Sequence, residues 1–150
     1  MELDIKTLEQ LKAIFTAEQF VITGSTAVRL LGFKTKNGSK DIDIVLYNPT
    51  DSCRAKLKEF QEQFPADRTN SYTGVDFFQF VYNDIKFDIF IDAERQKTDL
   101  SYKGFLISTM DALVRAKKSY SSPKHIFQMM NWRDQIISDA DLTNFYTINF

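Results

Sequence analysis

The spacing of apolar residues along the chain predicts a series of helices and strands. Within Leu3–Glu18 the apolar residues recur mostly every third or fourth position, which predicts an amphipathic helix. Runs of β-branched and aromatic residues instead predict strands. The remaining predicted elements are a strand over Phe20–Thr23, a helix over Thr26–Leu31, a strand over Asp41–Tyr47, a helix over Ser52–Phe64, strands over Val75–Tyr82 and Ile85–Ile91, a helix from Ser108, and a helix over Lys124–Ser138.

Short polar segments join these elements. Only Asn83–Asp84 lies between the two later strands, which predicts a tight hairpin. Ala93–Lys103 is polar and is predicted to be a loop. The order of elements predicts an α+β (α/β) fold, in which helices pack on a sheet. The length of 150 residues suits one domain, with a core over 20–92 and a C-terminal helical part over 108–138.

Composition and charge exclude several classes of protein. The net charge is -1, so binding to nucleic acid would need a local basic patch. The single cysteine, Cys53, excludes an intrachain disulfide, and the single histidine, His125, excludes a multi-histidine metal site. No apolar run approaches the length of a membrane span, and the first ten residues lack a signal-peptide pattern. We therefore expect a cytoplasmic protein with no membrane partner.

Three acids interrupt strands that are otherwise apolar. Asp41 and Asp43 are two positions apart, so a strand places both carboxylates on one face. Asp88 lies alone between Phe87 and Ile89 in the second strand of the hairpin. If that strand pairs beside Asp41–Tyr47, the three carboxylates converge, and such a set suits Mg²⁺. The alternative is a solvated strand whose acids face water.

The Gly24–Ser25 turn is a candidate phosphate site. Glycine at a strand end lets the backbone approach a ligand closely, and Ser25 adds a hydroxyl donor. The helix that follows presents N–H groups that favour an anion. The alternative is that Gly24–Ser25 serves only as a tight turn and helix cap.

Together these residues resemble the nucleotidyltransferase superfamily related to DNA polymerase β. Its signature is a Gly-Gly or Gly-Ser turn, a spacer and an Asp-x-Asp pair, followed later by a third acid. Gly24–Ser25 matches the turn, Asp41 and Asp43 match the pair, and Asp88 matches the third acid. The spacer, positions 26 to 40, is long, as in small antibiotic nucleotidyltransferases and toxin nucleotidyltransferases of the AbiEii type.

The C-terminal part extends this resemblance. Ser108–Lys117 resembles the helix from which a lysine reaches the nucleotide phosphates, and Lys117 is the matching position. Ser122–His125 resembles the Pro-Lys-Asp step that follows, although His125 replaces the acid. Without the resemblance, Lys117 would be assigned to a solvated helix face.

The resemblance implies a mixed-sheet nucleotidyltransferase fold whose C-terminal helices close the cleft. It implies transfer of a nucleoside monophosphate from an NTP to an acceptor hydroxyl, with Mg²⁺ as cofactor and pyrophosphate released. The acceptor would be a small molecule, RNA or protein, held in part by a second copy or a partner protein. The site residues would be Asp41, Asp43 and Asp88 as catalytic metal ligands and Gly24, Ser25 and Lys117 on the nucleotide. The alternative is a catalytically silent nucleotide-binding or protein-interaction module, such as a toxin–antitoxin component.

Overall fold

The structure, a computed structural model, describes residues 3–33, 41–66, 76–120 and 123–138. Helices and strands alternate along most of this length, as the apolar spacing predicts. The elements are α1 Ile5–Ile14, β1 Ala17–Thr23, α2 Gly24–Leu30, β2 Ile42–Pro49, α3 Asp51–Gln63, β3 Asp76–Tyr82, β4 Ile85–Asp92, β5 Ser101–Tyr102, β6 Phe105–Ile107, α4 Met110–Tyr120 and α5 Pro123–Ser138.

The six strands form one mixed sheet in the order β3-β4-β2-β1-β6-β5. β2 runs parallel to β4, and β1 runs parallel to β6. The other three neighbouring pairs are antiparallel. The predicted mixed α+β fold is therefore confirmed. The strand that contains Asp43 lies inside the sheet, directly beside the strand that contains Asp88.

The period-two alternation of β2 divides its side chains between two faces of the sheet. Ile42, Ile44 and Leu46 lie on the face covered by α1 and α3, which we call the helix face. Asp43, Val45 and Tyr47 lie on the opposite face, which we call the cleft face. The core on the helix face includes the fully buried residues Leu8, Leu11, Phe15, Ile22, Ile44, Leu46, Leu57, Phe80, Phe87 and Ile89.

A second apolar cluster joins α2, β6, α4 and α5. Met110, Leu113 and Val114 of α4 pack with Ala27 and Val28 of α2, and Ile107, Phe33 and Trp132 complete the cluster. All eight residues are at most 4% exposed. This cluster fixes α4 beside α2 and β6, and the C-terminal half of α4 reaches the cleft face of the sheet.

The hairpin predicted at Asn83–Asp84 is confirmed. β3 and β4 pair antiparallel with only these two residues between Tyr82 and Ile85. Asn83 has φ 52° and Asp84 has φ 63°. Positive φ at both central residues is the type I′ geometry that matches the twist of a two-residue hairpin.

Several boundaries predicted from sequence are wrong. The helix predicted over Leu3–Glu18 spans only Ile5–Ile14, the helix predicted from Thr26 already begins at Gly24, and the strand predicted over Asp41–Tyr47 spans Ile42–Pro49. β1 begins at Ala17 rather than Phe20, because its polar Gln19 exchanges hydrogen bonds with the backbone of Gln96 and so tolerates burial in the sheet. The helix expected from Ser108 begins at Met110, because the Ser108 N–H donates to the carbonyl of Ile22 and extends the sheet by one bond.

The loop predicted over Ala93–Lys103 is correct only as far as Leu100. Ser101–Tyr102 and Phe105–Ile107 form a short hairpin whose turn, Lys103 and Gly104, has positive φ at both positions. These strands are too short for an apolar pattern, and β6 forms because it pairs with β1 across a long stretch of sequence. The loop predicted over 34–40 lies outside the described residues. No helix in the described ranges is long and apolar enough to cross a membrane.

Candidate active site

Four polar side chains lie in one row across the cleft face. Asp43 of β2 is the register partner of Thr23 on β1 and of Asp88 on β4, and Asp88 is the partner of Gln79 on β3. Register partners in a sheet point to the same face, so the four side chains are neighbours. The convergence that the sequence analysis made conditional on strand pairing is therefore present for Asp43 and Asp88.

Asp43 and Asp88 form a carboxyl pair in a poorly hydrated position. Burial is the largest cause that raises the pKa of Asp43, and the charge of Asp88 and a side-chain hydrogen bond with Asp88 act in the same direction, so that the pKa is raised to about 7. Lys117 acts in the opposite direction on the same pKa. Lys117 offsets only part of the shift, so near neutral pH the raised pKa of Asp43 favours uptake of a proton or a cation at this position.

Asp41 lies beside the Asp43–Asp88 pair and pairs with a lysine instead. Its Oδ2 lies 3.7 Å from Nζ of Lys86, in an ion pair on the sheet beside the Asp43–Asp88 pair. Its side chain is 38% exposed, and it is the weakest of the causes that raise the pKa of Asp43. Across the described residues, no group of three or more acidic, histidine or cysteine side chains is arranged to hold a metal ion. The structure thus brings together two of the three predicted acids.

The backbone of Gly24 packs directly against the Asp43 carboxylate. Gly24 has φ 61°, and a Cβ built on it would overlap Asp43 Oδ2 and lie 2.7 Å from Asp43 Cγ. Both the conformation and the space therefore require glycine at this position. Ser25 follows within α2 and is partly buried. The turn and the acid pair form a single packed unit.

A cleft of about 1470 Å³ opens on this face of the sheet. Gly24, Asp43 and Lys117 line it, whereas Asp41, Asp88 and Ser25 are not among its described lining residues. Asp88 lies behind Asp43, to which its side chain is hydrogen-bonded. Val45, Tyr47 and Phe90 supply an apolar floor, and the walls come from segment 92–97 and from α4.

Lys117 projects from α4 towards the acid pair. Its charge lies close enough to Asp43 to lower that pKa, and its Nζ lies 6.0 Å from the centre of the Trp132 ring. The aromatic face holds the ammonium group by a cation–π contact. The C-terminal helices thus place a cation at the edge of the cleft, and the contact of Lys117 with nucleotide phosphates stays a prediction.

Sequence reasoning missed Gln79 and segment 92–97. Gln79 is a lone amide within the apolar run Phe77–Val81, and its place opposite Asp88 follows from counting outward from the hairpin turn. Segment 92–97 carries no pattern that a sheet or helix would impose. It is held on the sheet by the paired bonds between Gln19 and Gln96 and by the Ser108 Oγ bond to Gln96 Oε1 at 2.7 Å.

The donor set suits a hard divalent cation. Carboxylate oxygens are the ligands that Mg²⁺ prefers, and the pKa of Asp43 is raised first by burial and then by the negative charge of Asp88, which a cation would neutralise. Asp43 and Asp88 would supply the first two ligands. Asp41 would become a third ligand only by exchanging Lys86 for the cation. The residues present therefore fit the ion that the resemblance implies.

Comparison with solved structures gives one match. It is the crystal structure of a protein from Thermotoga maritima whose description as a nucleotidyltransferase is itself provisional, with TM-score 0.51 and 14% sequence identity. The match covers 89% of this chain and 96% of the other. No protein-family model and no curated protein sequence matches the chain.

These findings define the class of fold. At 14% identity the likeness concerns the fold alone, and it extends over nearly the whole of both chains. The protein has a nucleotidyltransferase-like fold, with a six-stranded mixed sheet and five helices among the described residues. The fold expected from the sequence resemblance is confirmed at this level, and the subfamily is not distinguished.

Proposed function

We propose that the protein is a metal-dependent nucleotidyltransferase. It would move a nucleoside monophosphate from an NTP to an acceptor hydroxyl and release pyrophosphate. The observation that supports this most directly is the Asp43–Asp88 pair, brought together by parallel strands at the edge of a large cleft. Burial and the charge of Asp88 raise the pKa of Asp43, and the solved structure with a similar fold is provisionally described as a nucleotidyltransferase.

Each proposed site residue has a task that its position supports. Asp43 and Asp88, with Asp41 once released from Lys86, would bind Mg²⁺, which when bound neutralises phosphate charge. Gly24, which lines the cleft and touches Asp43, would face the phosphates, and we propose that the hydroxyl of the next residue, Ser25, assists it. Lys117 would balance the negative charge that develops on the leaving group.

The transfer step is a substitution at the α-phosphorus. The acceptor oxygen forms the new P–O bond while the bond to pyrophosphate breaks. The acceptor's proton would pass to Asp88, the carboxylate that we propose as general base. The acceptor itself would be a hydroxyl of a small molecule, an RNA or a protein. The cleft volume of about 1470 Å³ leaves room for an acceptor beside the nucleotide.

A labelled-NTP transfer assay tests this function. Each of the four α-labelled NTPs is incubated with the protein, Mg²⁺ and pools of RNA, protein and small hydroxyl compounds. We expect label in one pool with the wild type and none with Asp43→Ala, while circular dichroism shows the fold retained. Asp76→Ala is the matched control, because Asp76 also lines the cleft but pairs with Arg54 at 3.0 Å, outside the polar row. Transfer by Asp43→Ala at the wild-type rate would contradict the proposal.

A further inference from the structure

Gln79 is a buried amide in an otherwise apolar strand. It is 1% exposed and lies between Phe78 and Phe80 on β3. Its Nε2 donates to Asp88 Oδ1 at 2.7 Å, and its backbone N–H donates to Gln61 Oε1 on α3 at 3.0 Å. Gln79 therefore links the helix layer to the acid pair through one short hydrogen bond on each side.

The other end of the Gln79 amide has no partner. Its Oε1 is fully buried and accepts no hydrogen bond from the described residues. A buried unpaired acceptor costs about 1–3 kcal/mol of stability. An apolar side chain of the same length would fill the space without burying this acceptor, but it could not donate a hydrogen bond to the Asp88 carboxylate.

Gln19 shows what a structural glutamine looks like in this protein. It is 4% exposed, and both ends of its amide bond to the backbone of Gln96 at 2.9 Å. The two glutamines have the same chemistry and similar burial, yet only Gln79 is unsatisfied at one end and bonded to a proposed metal ligand at the other. The bonds of Gln19 therefore suit a structural role, whereas those of Gln79 suit a role at the acid pair.

We propose that Gln79 is a positioning residue that fixes the orientation of the Asp88 carboxylate. It holds Oδ1 of Asp88 and leaves the second oxygen for Asp43 and the cation. Mg²⁺ demands near-octahedral geometry, so a ligand held in one orientation binds it better than one that rotates. This inference rests on the proposed function, because the orientation of Asp88 matters only if Asp88 is a ligand.

The test replaces Gln79 with methionine, which keeps the length of the side chain and removes its polar atoms. We expect the Mg²⁺ dissociation constant, measured by calorimetry, to rise about 10- to 100-fold, as is usual when a partner of a metal ligand is lost. The free energy of unfolding without metal should change little, because the substitution removes the unpaired acceptor together with the hydrogen bond to Asp88, and the two effects oppose each other. In the transfer assay, saturating Mg²⁺ should restore most of the rate.

Gln19→Met is the matched control and should give the opposite result. Its loss leaves the Gln96 backbone groups unpaired, so the metal-free protein should unfold at lower urea while Mg²⁺ affinity changes less than threefold. If Gln79→Met does not fold, Gln79→Asn serves in its place. Asparagine keeps the amide but is one methylene too short to reach Asp88, and the same loss of affinity is expected.

Two results would overturn the inference, and they are distinguishable. If the wild type binds Mg²⁺ and Gln79→Met or Gln79→Asn binds it equally well, Gln79 does not position Asp88, although the proposed function stands. If the wild type binds no Mg²⁺ and transfers no nucleotide, the proposed function fails and this inference fails with it.

Discussion

At the scale of single residues, Gly24 has the strictest requirement in the site. A side chain there would need φ 61° and would overlap the Asp43 carboxylate. We expect Gly24→Ala to lose about 2 kcal/mol or more of unfolding free energy, since the left-handed conformation alone costs about 1 kcal/mol and the overlap adds to it. Mg²⁺ binding should be lost as well, because Asp43 must move. Urea unfolding and calorimetry measure the two effects.

Gly104 provides the control for that substitution. It has φ 85° in the β5–β6 turn, and a Cβ there would have nothing within 4 Å. Gly104→Ala should therefore show only the conformational cost, about 1 kcal/mol, with normal Mg²⁺ affinity. If the two alanine variants behave alike, the contact between Gly24 and Asp43 has no consequence for the site.

Asp43 makes the stability of the metal-free protein depend on pH. Its pKa is raised from 3.8 to about 7, so the folded protein binds this proton more tightly than the unfolded chain does. The free energy of unfolding should therefore fall as pH rises from about 4 to about 7 and stay low above that range. The loss should be on the order of 2–4 kcal/mol. Urea unfolding in EDTA at a series of pH values measures it.

Asp43→Asn should remove this decline and stabilise the metal-free protein at pH 8. The amide cannot ionise, so the repulsion from Asp88 disappears. Asp76→Asn should keep the decline, because Asp76 is 60% exposed and lies outside the acid pair. If the Asp43→Asn protein still loses stability between pH 4 and 7, another group causes the pH dependence.

The sequence predicts individual residues well where a charge interrupts an apolar strand. Asp43 and Asp88 stand out on that criterion, and the structure places them side by side. Asp41 meets the same criterion, but its pairing with Lys86 depends on how two distant strands align. Gln79 carries no charge, and the unpaired state of its Oε1 exists only once the sheet has formed.

At the scale of elements, the β3–β4 turn sets the alignment of two strands that both contribute to the site. Asp84→Gly should raise the free energy of unfolding by about 0.5–1 kcal/mol, because glycine adopts φ 63° without strain. Asp84→Val should lower it by about 1–2 kcal/mol, because a β-branched side chain resists that conformation. Thermal and urea unfolding compare the two variants.

Mg²⁺ affinity tells whether the turn also controls the site. The Asp84→Gly protein should bind Mg²⁺ as the wild type does, whereas Asp84→Val should bind it more weakly if the strands lose their alignment. Stability that is equal in both variants would show that the turn does not limit the hairpin.

Elements with a strong local pattern were predictable, and elements that depend on distant pairing were not. α3 and the β3–β4 hairpin follow from residue spacing and turn chemistry. The first three residues of β1 form a strand because they pair with β2, at Pro49 and Tyr47. β6 forms a strand because it pairs with β1, at Ile22. No local pattern encodes those neighbours.

At the scale of the whole molecule, the two apolar clusters bring opposite charges to one cleft. The cluster on the helix face supports the strands of Asp43 and Asp88, and the cluster of α2, β6, α4 and α5 supports Lys117. One wall of the cleft comes from α4, and another comes from segment 92–97, which hydrogen bonds from Gln19 and Ser108 hold on the sheet. Sequence spacing does not describe either placement.

Lys117→Met should reduce nucleotide transfer by about 10²-fold while leaving the fold intact. Lys117 lines the cleft and acts on Asp43, and methionine keeps a side chain of similar length beside Trp132 while removing the charge and its cation–π contact. The neighbouring Lys118 is exposed and does not line the described cleft, so Lys118→Met should retain wild-type transfer. Equal rates for the two variants in the labelled-NTP assay would exclude Lys117 from the reaction.

The β3–β4 hairpin places Gln79 and Asp88 at equal distances from its turn. Gln79 lies four residues before Asn83, and Asp88 lies four residues after Asp84. A two-residue turn fixes the register of an antiparallel pair, so the amide and the acid are opposite each other whatever the intervening apolar residues are. In this chain the polar partner therefore lies nine positions before Asp88, with the turn midway between them, and any two-residue turn would preserve the meeting.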